Sequence, residues 1–447
     1  MDTSSPLFSR KQLTALIIPL IIEQFLSIFV GMADTIMVSN AGEAAVSGVS
    51  LVDTLNVLLV VLFTALTAGG SVVVSQNLGA KRYKEARLAS QQLLLSATAM
   101  ALIMTLVALA GNYWILHLIF GNVALDVMES ARIYFFIMAF SYPFLAIYNS
   151  CAAIFRSMGN SRISMLASLF MNLVNICGNA LLVYGLHMGA AGVAIPSLVS
   201  RMLAAGMLLI LLRNPRLEVS LRTYTLRFNF SIIKKLLAIG VPSSVENSIF
   251  QIGKLLVLSV VAGFGTSATT ANAVSNSLAQ FPLIPASAIG TAMITIIGQC
   301  MGAGASDQAV SYTKKLILLA HGILAATNLF MIVACPFLLT LYNLTPQTLE
   351  TATLLVRFHS TCAIFLYPES FVLSNTLRAS ADVKYPMVVS IVSMWVWRVG
   401  FSYVLALQMN LGVFGVWVAM MMDWLCRSIC FLVRFKKGTW KTKHLLA

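Results

Sequence analysis

The sequence predicts an all-α polytopic membrane protein, with twelve transmembrane helices as two six-helix parallel repeats around a central cleft. Three observations carry that prediction: an apolar composition short of charge, twelve apolar stretches of spanning length, and residue patterns that recur at half the chain length. Of 447 residues, 59% are hydrophobic and 10% charged, and mean hydropathy is +0.88. Soluble domains carry about 25% charged residues, so 44 charged side chains are too few to cover a water-facing surface on this chain. An ordinary soluble enzyme, a disordered chain and a secreted disulfide scaffold are excluded. The net charge of +14 would suit nucleic acid only if the bases clustered on an exposed domain, and no segment is long or polar enough to be one.

A bilayer core needs about 20 apolar residues per helix. The stretches are 13–38, 45–75, 88–110, 131–153, 163–185, 190–212, 236–262, 270–298, 316–341, 353–376, 386–408 and 412–435. The first carries Glu23 and Asp34 and is too long for a signal-peptide apolar region, so it reads as retained. The second and eighth exceed a minimal span, which tilt or extension into a cavity accommodates. Continuous apolar runs such as Leu316–Leu324 argue against the alternating segments of a β-barrel.

Lys and Arg set the orientation. Alternate connections, counted from the N-terminus, hold 23 of the 29 basic residues, while 39–44, 111–130, 186–189, 263–269, 342–352 and 409–411 hold none. Both termini are therefore expected on the cytoplasmic side.

Internal repetition then divides the chain. Pro19-x-x-x-Glu23 recurs as Pro242-x-x-x-Glu246, and Gln76-Asn77-Leu78-Gly79-Ala80 as Gln299-Cys300-Met301-Gly302-Ala303, both at an offset of 223. Phe155-Arg156 matches Leu377-Arg378 at 222, and Gly192-Val193 matches Gly415-Val416 at 223. Six spans per repeat put both halves the same way up, the parallel arrangement found among carriers. The expected organisation is an N-lobe over 1–212, a basic cytoplasmic linker over 213–235 and a C-lobe over 236–447.

Charges at membrane depth are costly, at about 2.5–3.5 kcal/mol or more, and so are functional candidates. The spans hold the acids Glu23, Asp34, Asp53, Glu246, Glu369 and Asp423, and the bases Arg132, Arg201, Lys254, Arg357, Arg398 and Arg427. Asp423 and Arg427 are one turn apart and suited to pair with each other. Glu246 follows Pro242 by one turn. Pro19 and Pro242 are helix-bending positions, since proline removes a backbone donor and frees a carbonyl. A carboxylate beside a freed carbonyl, Ser243, Ser244 and Asn247 suits Na⁺ or an exchangeable proton. Lys254 lies two turns on, about 80° around and roughly 12 Å along the axis, where it would oppose a cationic substrate. In the first half, Asp34 is accompanied by Asn172, Asn175 and Asn179; the last two share a helix face. They suit either interhelical hydrogen bonding or, with Asp34, a proton or monovalent cation.

Together these features resemble the multidrug and toxic compound extrusion (MATE) family. The resemblance rests on the six-plus-six spans, on Ile239-Gly240-Val241-Pro242-Ser243-Ser244-Val245-Glu246, and on Val74-Ser75-Gln76-Asn77-Leu78-Gly79-Ala80. It implies an antiporter that exports organic cations or other amphipathic compounds in exchange for H⁺ or Na⁺. It also implies an N-lobe coupling set, matched by Asp34, Asn175, Asn179 and Ser197, and a C-lobe set, matched by Glu246 and, displaced by about two residues, Glu369. Asn179 stands where some members carry Asp. Na⁺ is expected at Asp34 or Glu246. Beyond that coupling ion no cofactor is expected. The other expected partners are a small amphipathic or cationic substrate and membrane lipid, with no nucleic acid. The chain is expected to act as a monomer in the bacterial cytoplasmic (inner) membrane.

The alternative is a lipid-linked precursor flippase of the same superfamily, which should show a strongly basic cavity. An enzyme is disfavoured, because no Walker loop, HExxH or GxSxG is present.

Overall fold

The computed structural model describes residues 6–39, 42–121, 123–222, 227–342 and 344–443, and among them there is no strand. Six helical segments fill the first half: α1 (Arg10–Ser39), α2 (Glu43–Gly79), α3 (Tyr83–Phe120), α4 (Leu125–Ser157), α5 (Ser161–Gly185) and α6 (Ala191–Leu211). Six more fill the second: α7 (Phe230–Ala262), α8 (Thr266–Gly302), α9 (Ser306–Thr340), α10 (346–379), α11 (Lys384–Gln408) and α12 (Gly412–Lys437). Ten are long and apolar enough to cross a membrane, and α2, at 37 residues, and α10 complete the twelve.

Each predicted span falls on one helix to within a residue, but the helices outrun the apolar windows. The connection expected over 111–130 is largely helix, because α3 continues to Phe120 and α4 begins at Leu125. A hydrogen-bonded ladder needs no hydrocarbon around it, so α3, 38 residues long, spans about 57 Å. Large apolar side chains remain on the outside. Leu118, Trp114, Leu318, Val333 and Phe337 are each exposed by 69% or more, as lipid contact requires and water would not favour.

The backbone carries the repeat as clearly as the sequence does. Left-handed residues recur in pairs: Gly42 with Gly265, Lys81 with Gly304, His187 with Asn410 and Gly189 with Gly412 at 223, and Gly159 with Ala381 at 222. Turns with left-handed residues at corresponding positions therefore join the helices of each half.

The chain divides into two compact units, with the division at Val241–Pro242 inside α7. In the first unit α2 packs on α3 and α4, α4 on α6, and α5 on α1 and α6. Gly48 permits the α2–α4 approach, since a Cβ there would lie 2.7 Å from the Ala131 nitrogen. In the second unit, Val257, Val260 and Val261 of α7 pack with Val399 and Ala406 of α11 and Val416, Trp417 and Met420 of α12. His359 sits edge-on between Trp417 and Trp424, at 5.6 and 5.3 Å. Asp423 and Arg427 pair along α12, Nε to Oδ1 at 2.8 Å, with 0% and 3% of their side chains exposed.

Candidate functional site

In the N-terminal unit, α1, α5 and α6 bring four sequence-predicted residues into one hydrogen-bonded chain. Asn179 Nδ2 donates to Asp34 Oδ1 at 2.7 Å and lies 3.2 Å from Asn175 Oδ1. Asn175 Nδ2 in turn donates to Ser197 Oγ at 3.0 Å. The i, i+4 spacing of the two asparagines sets this arrangement. The α-helical ladder of α5 ends at Asn179 and gives way to a π turn over Ala180–Gly185, a device that recurs at functional positions. Asn179 Oδ1 is buried with no partner, and the second oxygen of Asp34 has none among the described residues. Asn172 stands apart, 3.5 Å from Ser168.

A second carboxylate belongs to the same neighbourhood. Asp53 of α2 accepts from Tyr134 at 3.2 Å and Asn56 at 3.1 Å, and Tyr142 donates to Asn56 Oδ1 at 2.8 Å. Arg201 of α6, hydrogen-bonded to Ser141 Oγ at 2.7 Å, lies within electrostatic reach of both Asp34 and Asp53. Tyr134 and Tyr142 come from α4 and were not legible as site residues. Their partners on α2 lie 81 and 86 positions away, with no local spacing to reveal them. Two carboxylates, amide oxygens and hydroxyls form a hard-oxygen environment suited to a monovalent cation or to protonation. Among the described residues there is no group of three or more His, Cys, Asp and Glu side chains able to hold a metal.

The C-terminal unit places Glu246 and Glu369 on different partners. Both oxygens of Glu246 accept from one Arg378 nitrogen at 2.8 Å, and Arg378 also donates to Asn375 Oδ1 at 3.1 Å. The repeat-related residues do the same in the first half: Arg156 meets Glu23 at 3.2 Å, and Ser164 donates to the other Glu23 oxygen at 2.9 Å. In the sequence Arg156 and Arg378 count among the basic residues of alternate connections; each also ties the fourth helix of its half to the first. A cation at Glu246 would have to displace a guanidinium.

Glu369 lies in a π turn over Pro368–Val372 in α10 and meets His321 of α9, Oε1 to Nε2 at 2.7 Å. The other ring nitrogen of His321 faces the Ile364 carbonyl at 2.8 Å. Both imidazole nitrogens therefore face oxygen acceptors, and the contacts are satisfied only when the pair holds a proton beyond those of neutral histidine and carboxylate. No hydrogen bond or ion pair joins Glu369 to Glu246 among the described residues. Lys254 lies over the Phe250 ring, at 5.1 Å, and has no carboxylate partner among the described residues.

Comparison with known proteins agrees with this architecture. The MatE family model matches residues 19–181 and again 242–404, two segments set 223 apart like the internal repeat. Uncharacterized transporter YisQ of Bacillus subtilis is 28% identical over 435 residues, 96% of this chain and 94% of its own. Probable multidrug resistance protein NorM of Thermotoga maritima is 25% identical over 441 residues, 98% and 94% of the two chains. Among solved structures, a MATE crystal structure in the bent conformation superimposes with a TM-score of 0.87 at 20% identity, covering 97% of this chain and 96% of that one. With each six-helix half matched in turn by one model, at the spacing that the repeat itself requires, the chain belongs to the MatE family of multidrug efflux transporters.

Proposed function

We propose that the protein is a secondary active antiporter that exports amphipathic organic compounds, organic cations included, in exchange for H⁺ or Na⁺ by alternating access. The observation that carries the reading is the Asp34–Asn179–Asn175–Ser197 chain, which links α1, α5 and α6 through one carboxylate. Charging, protonating or ligating Asp34 changes what that chain holds together, with Asp53 close enough to feel the change. An ion that favours one arrangement of the helices and a substrate that favours another exclude each other, and exchange follows. Glu23–Arg156 and Glu246–Arg378 act in this reading as paired ties within each half.

The alternation of Lys and Arg between connections supports placement in the bacterial cytoplasmic membrane with both termini inside; the unit that acts is a monomer. A precursor flippase is favoured by one observation, the cations Lys254 and Arg398 in the C-terminal half. Against it, the N-terminal site holds two acids to one base.

The test is efflux of ethidium from proteoliposomes under an imposed pH gradient and, separately, an imposed Na⁺ gradient. Acceleration by one gradient, lost in Asp34→Asn, is expected. A rate indifferent to both gradients would overturn the reading.

A further inference from the structure

Within the C-terminal unit, α7, α8, α11 and α12 line an open cavity of about 250 Å³. Its polar wall is Lys254, Arg398, Asn272, Asn276, Gln280 and Trp417, with no carboxylate in it. Arg398 is only 8% exposed and its Nε has no hydrogen-bond partner among the described residues. Lys254 has no ion pair or hydrogen bond among the described residues. Both cations rest against the Phe250 ring, at 5.1 and 5.3 Å. The acid in electrostatic reach of Arg398 is Asp423, whose Oδ1 already takes Arg427 at 2.8 Å and Ser393 at 2.6 Å. A buried guanidinium without a carboxylate of its own is expensive, and the exposed Lys254 beside it adds a second positive charge at the cavity. An anion in the cavity removes that penalty.

The repeat sharpens the point. At an offset of 223, Asp34 falls on Val257, Asp53 on Asn276, Asn175 on Arg398 and Ser197 on Met420, and all four counterparts line this cavity. The cavity is thus the C-terminal copy of the Asp34 site with both acids removed and a guanidinium added. The same place in the fold has opposite polarity in the two halves.

We propose that this cavity binds the oxyanion head, a carboxylate or a phosphodiester, of an amphipathic molecule. Its role in export rests on the antiport reading above; binding itself does not. Arginine offers a planar fork of N–H donors matched to two oxygens, and lysine a mobile point charge. Trp417 Nε1 already donates to Asn272 Oδ1 at 2.9 Å, which fixes the amide wall around the two cations. Whole drug-sized ligands fill about 300–1,000 Å³, so this cavity takes the head. Val257, Leu258, Val416 and Met420 give the start of the tail an apolar wall.

The test uses the full chain in phosphatidylcholine nanodiscs, where the lipid carries no net charge, and three probes sharing one body: pyrenebutyrate, pyrenebutanol and pyrenebutyltrimethylammonium. Binding is read from quenching of tryptophan fluorescence. Pyrenebutyrate should bind tightest. Lys254→Gln and Arg398→Gln should each weaken it about tenfold and leave the alcohol unchanged, and Lys254→Glu should transfer the preference to the ammonium probe. Arg398→Lys, which keeps the charge and loses the fork, should recover part of the affinity that Arg398→Gln loses, separating loss of charge from loss of folding.

Phosphatidylglycerol added to the discs distinguishes the sources. Competition identifies a lipid phosphodiester, and its absence a free amphipathic acid. Equal binding of the three probes, or unchanged pyrenebutyrate affinity in Lys254→Gln and Lys254→Glu, would overturn the proposal. Head selectivity that persists in a protein whose efflux ignores both gradients would overturn the antiport reading and leave this one standing.

Discussion

The two halves of the chain share a scaffold and differ in charge. Each ties its first helix to its fourth by a Glu–Arg pair, Glu23–Arg156 and Glu246–Arg378, and each turns its connections through the same left-handed positions. Beyond those ties they diverge. The N-terminal half gathers Asp34 and Asp53 around Arg201, and the C-terminal half gathers Lys254 and Arg398 around Phe250. What duplication preserved is the frame that sets helix positions; what it released is the side chains facing the cavities. Intramembrane charge is informative here because it differs between sites that the backbone treats alike.

The largest expected effect falls on a feature present in one half only. Asp423→Asn leaves the buried Arg427 guanidinium without its counter-charge, a loss of about 3–5 kcal/mol. Its repeat counterpart is Ser200, whose hydroxyl donates to the Ser197 carbonyl at 3.1 Å, and Ser200→Ala should stay within about 1.5 kcal/mol. Thermal unfolding in detergent of the two variants side by side checks the contrast, and comparable destabilisation would break it.

Next is Asp34→Asn, which should reduce gradient-driven efflux by about 5–150-fold, the range of a typical coupling free energy, while the folded fraction is unchanged. The paired ties come third. Glu23→Gln and Glu246→Gln should each destabilise by about 1–3 kcal/mol and by similar amounts. The exchange Glu246→Arg with Arg378→Glu should restore much of the loss. An exchange that folds but does not transport would instead assign Glu246 a role beyond its tie to Arg378.

The smallest effect concerns the frame itself. Ala381 holds a φ of 67° where the first half has Gly159, and a left-handed residue with a Cβ is strained by about 1–2 kcal/mol. Ala381→Gly should therefore stabilise the protein by about 0.5–1 kcal/mol after the added flexibility of the unfolded chain is counted. Gly159→Ala should destabilise it, although a Cβ there meets nothing within 4 Å.

The frame was legible because its signals are local or strictly periodic. Apolar runs placed all twelve helices, and the offset of 223 placed the repeat. The N-terminal site was half legible. Asn175 and Asn179 announce themselves by sharing a helix face, and Asp34 by being a charge in a span. Arg201 does so too, as a base in a span, although nothing in the sequence joins it to Asp34; Tyr134 and Tyr142 do not, since aromatic residues abound and the partner of each lies on another helix. The tie of Arg378 to Glu246 had no sequence signal for a physical reason: an arginine near a helix end satisfies the topology count equally well whether it faces lipid headgroups or reaches back to Glu246. The pairing of His321 with Glu369 likewise had no sequence signal, the two being 48 positions apart.

The central claim is that Asp34, and not Glu246, carries the ion that drives export. Ethidium efflux after a sudden pH or Na⁺ jump, measured in the same proteoliposome preparation for wild type, Asp34→Asn and Glu246→Gln, tests it directly. The account predicts that Asp34→Asn abolishes the response to the jump, whereas Glu246→Gln lowers the rate and keeps the response. A response that survives in Asp34→Asn and vanishes in Glu246→Gln would contradict it.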